Sequence, residues 1–366
     1  MNIIIGAGVY GLSVALKLLE EGEDVVVIDG SHPNIASINA LGRLDPIFRG
    51  AGSYNSSSHH EKALLKPQNQ KHLALDSYLR HKDNYEKIVK ESGIDYKLKE
   101  IKTLQVCFSK EEFLEIENSK QEAESSGFNV ELINNKELGS YQRGVSKEII
   151  GAALVSGTLF LNSKLFISAL RKNVEINGGI FINKLVDKLY IEDKEVQTID
   201  GSKIKYENLI ICAGPWTNKI ISSTGVKIDF YPAKGEIIKV SSEGINLIGH
   251  LHGPCSIVKK DDGLIWIAAT YEDNVFNSNN SVKAEQQLLT NASKILPGIV
   301  NQKIIDHTAC VRPSTKDDMP RTGEIIKGSK IFVATGGGGW GIMNSFYIGE
   351  VVKKLVLDNI SSLSNI

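Results

Sequence analysis

At 366 residues with 42% hydrophobic content, the chain is long enough to bury a large core and to divide into two domains rather than one. Its 42 Lys+Arg against 43 Asp+Glu leave no electrostatic footprint for nucleic acid or an anionic membrane. The four cysteines, Cys107, Cys212, Cys255 and Cys310, form no C-x-x-C pair, so neither a disulfide framework nor a metal site is expected.

The first eleven residues are the most specific. An apolar strand, Asn2 to Ile5, runs into Gly6-x-Gly8-x-x-Gly11, a helix follows from Leu12 to Glu21, and a second strand, Val25 to Ile28, ends on Asp29. Together these form a dinucleotide fingerprint. Gly6 permits the tight turn, Gly8 leaves room for a pyrophosphate against bare backbone, and Gly11 lets the helix pack closely on the strand. Val9, at the head of the helix, belongs with the free N–H groups and positive dipole that meet the phosphates. The Asp29 carboxylate, followed by Gly30, would hold ribose hydroxyls. A strand that starts at residue 2 leaves no room for a signal or transit peptide, and no apolar run approaches the roughly 18 residues of a membrane span. A cytoplasmic protein with reduced thiols is expected.

A glycine-containing loop (Ser37 to Gly52) comes next, then a polar stretch, Ser53 to Ser58, and a solvated His59-His60 pair with no ligand-spaced acid or cysteine. Leu75, Leu79, Tyr85, Ile88 and Val89 predict a helix over Gln68 to Ser92. A strand (Thr103 to Phe108) and a charged helix (Lys110 to Ser126) follow. Asn162 caps a helix from Ser163 to Ile176, which ends before Gly178-Gly179. Three short strands are expected, Lys188 to Ile191, Val196 to Ile199 and Lys203 to Tyr206, the last two joined at Asp200-Gly201. Leu209 to Cys212 is a buried strand running into Ala213-Gly214-Pro215-Trp216. From Tyr231 to Ala269 the pattern is β-rich. A helix spans Val282 to Ile295, and a last strand, Lys330 to Ala334, leads through Thr335 and Gly336 to Gly341 into a helix from Ile342 to Leu357. The fold expected is α/β: a discontinuous Rossmann-like domain (1–78, 150–222 and 306–366) with a second, β-rich antiparallel-sheet substrate domain (79–149 and 223–305).

Five segments in this order resemble the D-amino-acid oxidase superfamily of FAD enzymes, especially its glycine oxidase and sarcosine oxidase branches. They are Gly6-x-Gly8-x-x-Gly11, Cys212-Ala-Gly-Pro-Trp216, Pro232-Ala-Lys-Gly-Glu236, Val311-Arg-Pro-Ser-Thr-Lys-Asp317 with Pro320 and Gly323, and Gly336 to Met343. The resemblance runs across nearly the whole chain. It implies FAD as cofactor, with Ala36, Ser37, Gly42 and Arg43 in a loop reaching the flavin ring and Val186 on the adenine side. Gly214 falls in the second of these segments. Gly337, Gly338, Gly339, Gly341, Ile342 and Met343 would cover the flavin edge that gains charge on reduction, where a helix N-terminus favours that charge.

The resemblance also points to Arg312 as the group that grips a substrate carboxylate. A guanidinium suits this role because it makes two parallel charge-assisted hydrogen bonds and stays charged. The alternative is a structural ion pair with Asp317 or Asp318. Ser256 stands where glycine oxidases place a substrate-facing tyrosine, so that contact is either absent or supplied elsewhere, with Tyr271 the candidate. Gly339 replaces a bulkier residue, and Trp266 stands where sarcosine oxidase relatives use a lysine for reaction with oxygen. Cys310 falls where those relatives attach FAD through a thioether, whereas glycine oxidase relatives bind FAD non-covalently; the other reading is a small buried hydrophobe. The expected activity is oxidation of the C–N bond of an amino acid or N-methylated amine by hydride transfer to flavin N5, with O2 or another acceptor taking the electrons. A dehydrogenase passing electrons to a carrier, a nicotinamide-dependent reductase using Asp29 for NAD, and a flavin-binding protein without turnover are the other readings. Which amine is oxidised, and the oligomeric state, are left open by the sequence.

Overall fold

The parallel strands Ile331–Thr335, Asn208–Ile211, Asn2–Ile5, Val25–Ile28 and Ile180–Ile182 lie side by side in that order in the computed structural model, which describes residues 1–32, 34–47, 68–358 and 364–365. Arg321–Glu324 and Ser364–Asn365 extend this sheet antiparallel at one edge. The central strands read as unbroken apolar runs because both faces are covered. Ile4, Val25, Val27 and Ile210 meet the helices Val9–Glu20, Ser163–Ile176 and Gly341–Leu357 on one side. Ile3, Ile5, Val26 and Leu209 meet the three-stranded meander Val186–Tyr190, Glu195–Thr198 and Lys203–Lys205 on the other.

A second, nine-stranded sheet is almost wholly antiparallel. At its centre Tyr231–Val240 pairs with Ile265–Ala268 on one side and with the eleven-residue strand Ile304–Ser314 on the other. Helix Val282–Ile295 packs Leu288, Ala292 and Ile295 against Ile238, Ile257, Ile265 and Ile267 of this sheet. The expected α/β architecture, a Rossmann-like sheet with a β-rich antiparallel partner, is therefore present.

Several predicted elements have the predicted bounds: Gln68–Ser92, Ser163–Ile176 and Val282–Ile295. Asn162 caps its helix, its Oδ1 accepting from the Leu165 N–H at 3.1 Å. The segmental assignment differs in three places. Gly151–Val155 and most of Ile304–Ser314, expected in the nucleotide half, are strands of the second sheet. Helix Gln68–Ser92, divided between the halves at residue 78, packs along its length on Gly341–Leu357 and Ser163–Ile176 of the first. The Ser53–Ser58 stretch, His59-His60 and the end of the preceding loop lie outside the described residues. Among the described residues, no helix is long and apolar enough to cross a membrane.

Candidate active site

The carboxyl ends of the parallel strands open onto a cavity of about 490 Å3 whose far wall is the second sheet. This is where an open α/β sheet places its ligand. Gly6, Gly8, Val9, Asp29 and Gly30 line it from the first two strand ends. Gly6 has φ +104°, and a methyl there would come within 2.5 Å of the Cys212 carbonyl oxygen. Gly8 needs no special dihedral; a methyl there would meet only Ser37 Oγ, at 3.3 Å. Gly8 itself lines the cavity. The Asp29 carboxylate accepts from the backbone N–H of Ala7 (2.7 Å) and Ser31 (2.6 Å), so the acid is locked at the mouth of the glycine turn.

Ala36, Ser37, Gly42 and Arg43 line the cavity from the following loop, Val186 and Gly214 from the central segment, and Gly337, Gly338, Gly339, Gly341 and Ile342 from the C-terminal junction. Ser37 Oγ accepts from the Val9 N–H at 3.1 Å, tying this loop to the head of the first helix. Gly337 is bare for a reason: a methyl there would press on the Tyr10 hydroxyl at 2.7 Å and on Gly341 Cα at 2.9 Å. Arg43 Nε is buried with no hydrogen-bond partner among the described residues, a donor left for a bound group. The glycine cradle, the locked carboxylate and this spare donor together fit an FAD.

The second sheet contributes Ser256, Ala268, Thr270, Tyr271, Cys310 and Arg312. Arg312 donates from Nη1 to the Thr270 carbonyl at 3.3 Å, and its guanidinium carbon lies 5.5 Å from the centre of the Tyr271 ring. Tyr271 donates to Ser314 Oγ at 2.6 Å, and burial pushes its phenol pKa up. The alternative ion pair of Arg312 with Asp317 is not formed, because Asp317 is taken by Arg321 at 3.1 Å. That pairing and the Met319 N–H hold the Asp317 carboxyl below its ordinary range despite burial. Cys310 is buried on the cavity wall, and burial raises its thiol pKa against the opposing charge of Arg312.

Gly11, Met343 and Trp266 lie off the cavity wall, Gly11 in the packing role the fingerprint gives it. Gly11 does not reach the cavity; a methyl on it would collide with the Gly6 carbonyl oxygen, so its role is helix-on-strand packing. Met343 is turned into the helical core by the first turn of its helix. Trp266 is not on the cavity wall either. On a strand the side chains alternate, so Trp266 shares a face with Ala268, but the cavity wall begins only at Ala268. The Trp266 indole instead donates to Asp262 at 2.9 Å and lies under Lys239, whose Nζ is 4.3 Å from the ring centre.

Sequence reasoning missed a buried polar chain behind the wall. Arg43 pairs with Asp45 and contacts His252 Nε2 at 2.9 Å, and His252 Nδ1 lies 3.0 Å from Ser256 Oγ. His250, its ring 5.2 Å from that of His252, is held neutral by burial and by the Arg43 charge. The His-x-His spacing on a short strand was the one available signal; nothing local joins it to an arginine 209 positions earlier.

Comparison with known proteins places the chain among flavin-dependent oxidoreductases. Glycine oxidase of Bacillus licheniformis is 26% identical over 364 residues, 98% of this chain and 93% of that protein. Hydrogen cyanide synthase subunit HcnC of Pseudomonas aeruginosa is 24% identical, covering 97% and 91% respectively. The crystal structure of glycine oxidase from Geobacillus kaustophilus superposes with a TM-score of 0.85 at 23% identity, over 99% of this chain and 96% of that one. The family model described as DAO, FAD dependent oxidoreductase, matches residues 2–355, and the chain belongs to that family of FAD-dependent oxidoreductases.

Proposed function

We propose that this enzyme oxidises the C–N bond of a small amino acid or N-substituted amino acid that carries a free carboxylate. The observation that carries this reading is Arg312, a cation on the wall of an otherwise largely apolar cavity, opposite the glycine cradle. Bound FAD supplies the two-electron acceptor. The chain's own residues then have to bind and orient. Arg312 takes the carboxylate in a bidentate pair, which fixes the α-carbon in the cavity. Tyr271 and Thr270 hold the guanidinium from behind. The amine enters neutral and loses its α-hydrogen with both bonding electrons. The imine so formed takes up water to give a carbonyl compound and free amine. No protein base is needed for this route, and positioning is the protein's main contribution. Asp29 and the Gly6–Gly11 turn suit the adenosine half of FAD. FAD membership sets aside the nicotinamide reading of Asp29.

Anaerobic mixing of the enzyme with a panel of amino acids and their decarboxylated amines tests the reading through bleaching of the flavin. Arg312→Met should weaken carboxylate substrates by roughly 2–5 kcal/mol, about 30-fold to several thousand-fold, with flavin content intact. Equal loss with acids and with amines lacking the carboxylate would make Arg312 a structural residue and end the proposal.

A further inference from the structure

Arg312 does not point straight up from its own strand. In the register Arg312 stands opposite Ala233 and Cys310 opposite Gly235, yet the guanidinium lies across the neighbouring strand, directly over Gly235. A methyl on Gly235 would sit well inside contact distance of Cζ and both terminal nitrogens of Arg312. The backbone does not ask for glycine here: Gly235 lies mid-strand in ordinary extended conformation, outside the left-handed region. What requires the missing side chain is the arginine.

We propose that Gly235 is the positioning residue that sets how far Arg312 reaches into the cavity, and with it the size of carboxylate substrate the site accepts. This rests on the reading of Arg312 as the carboxylate anchor. The strand beneath cannot recoil to make room. Lys234 and Glu236 flank Gly235 and point to the opposite face, where they form a buried ion pair at 2.7 Å. Glu236 also accepts from the Ser281 hydroxyl at 2.7 Å and the Ser281 N–H at 2.8 Å, and lies 2.8 Å from His307 Nε2. The rear support of the guanidinium is tied to the same strand, because the Glu236 N–H donates to Thr270 Oγ1 at 2.9 Å and the Thr270 N–H to the Glu236 carbonyl at 3.1 Å. With both sides anchored, an added methyl displaces the guanidinium toward the cavity centre. Glycine therefore keeps the anion subsite recessed and leaves volume for a substituent on the α-carbon or nitrogen. Ser256 and Gly339, both small and both on the cavity wall, leave room of the same kind.

The test is titration of the FAD-loaded enzyme with acetate, glycolate, benzoate and 2-aminobenzoate, read by perturbation of the flavin spectrum. Gly235→Ala should weaken the larger carboxylates by about 10- to 100-fold, the cost of one charged hydrogen bond, and acetate least, with flavin stoichiometry unchanged. Arg312→Lys, whose compact head clears the methyl, completes a cycle: adding Gly235→Ala to it should cost nothing further. Wild-type affinities in Gly235→Ala, or fully additive losses in the double variant, overturn the inference and leave the anchor reading intact. If Gly235→Ala loses its fold, recovery in the double variant supports the contact and continued loss refutes it. Arg312→Met binding every carboxylate as the wild type does, or a wild-type flavin indifferent to all four, removes the anchor reading and this inference together.

Discussion

Arg43 donates from Nη1 to Nε2 of His252 across 2.9 Å, and this contact fixes the tautomer of His252 and the direction of its bond to Ser256. A guanidinium has no acceptor, so Nε2 carries the lone pair and Nδ1 the proton. Nδ1–H then donates to Ser256 Oγ at 3.0 Å. Ser256 has spent an acceptor site on the histidine and keeps its own hydrogen for an acceptor in the cavity it lines.

His252→Leu removes an acceptor from a guanidinium whose side chain is only 9% exposed. The expected cost is about 1.5–3 kcal/mol, that of a hydrogen bond to a charged group. Ser256→Ala removes the Ser256 acceptor from the Nδ1–H and should cost about 1–3 kcal/mol by the same logic. Because the second loss has no meaning once the histidine is gone, His252→Leu/Ser256→Ala should cost no more than His252→Leu alone. Urea unfolding of the FAD-loaded variants measures this, and simple addition of the two costs would show that no relay exists.

The glycine turn gives a contrast within three residues. A Cβ at Gly8 meets only the end of the Ser37 side chain, so Gly8→Val is expected to fold and to place its bulk in the cavity that Gly8 lines. Colourless, cooperatively melting protein is the expected product, and full flavin occupancy would contradict the cofactor placement. Gly6→Ala should instead damage the fold, since φ is +104° there and the Cys212 carbonyl blocks the methyl. Flavin content and melting temperature of the two variants separate the roles.

These contrasts show which parts of the site a sequence can carry. The fingerprint and the C-terminal glycine junction are contiguous, so every member sits within a few residues of the next. Helices Ser163–Ile176 and Val282–Ile295 were equally legible, because a capping Asn162 and a following Pro297 mark their ends locally. The segment from Val130 to Val155 yielded no prediction, although Asn134 and Glu137 form a capping box that was there to be read. The long strand Ile304–Ser314 was obscured by Pro313, which lies opposite Pro232, so neither asks the other for an N–H. Trp266 shares its strand face with Ala268, as the alternation of the strand implies, but the cavity wall begins only at Ala268, which leaves Trp266 beyond it. The Arg43–His252 contact and the Gly235–Arg312 overlap join residues far apart in the chain and exist only through the pairing of sheet and loop.

Lys260 makes stability depend on alkaline pH. Its Nζ donates to the Leu41 and Leu161 carbonyls at 3.0 and 2.7 Å, clamping the cavity loop to the second sheet. Burial lowers its pKa to about 8, whereas the unfolded chain keeps the ordinary value of 10.5. Between those values the unfolded state binds more protons, so stability rises with pH through this window. A neutral amine still has two N–H groups for its two carbonyls, so the clamp survives deprotonation. Relative to Lys260→Met, the wild type should gain up to about 3 kcal/mol between pH 8 and 10.5. Paired denaturation curves at the two ends of the window measure the difference, and a flat difference would show that Lys260 is not buried as a cation.

Cys310 decides whether the flavin is covalently held. Its thiol lies on the cavity wall two residues before Arg312, so the geometry brings it to the cofactor's side of the sheet. Attack on a flavin methyl needs the thiolate, and the thiolate fraction follows from the local field. Burial raises the Cys310 pKa, and the Arg312 charge only partly opposes it. Arg43, elsewhere on the cavity wall, is committed to Asp45 and His252. The direction of the shift disfavours the thiolate, so a dissociable cofactor is expected. Acid precipitation should give colourless protein at the apoprotein mass, with free FAD in the supernatant. Cys310→Ser should keep its flavin content and spectrum. Yellow precipitate heavier by one FAD, lost in Cys310→Ser, would mean that the field at this sulfur is more positive than the surrounding charges imply.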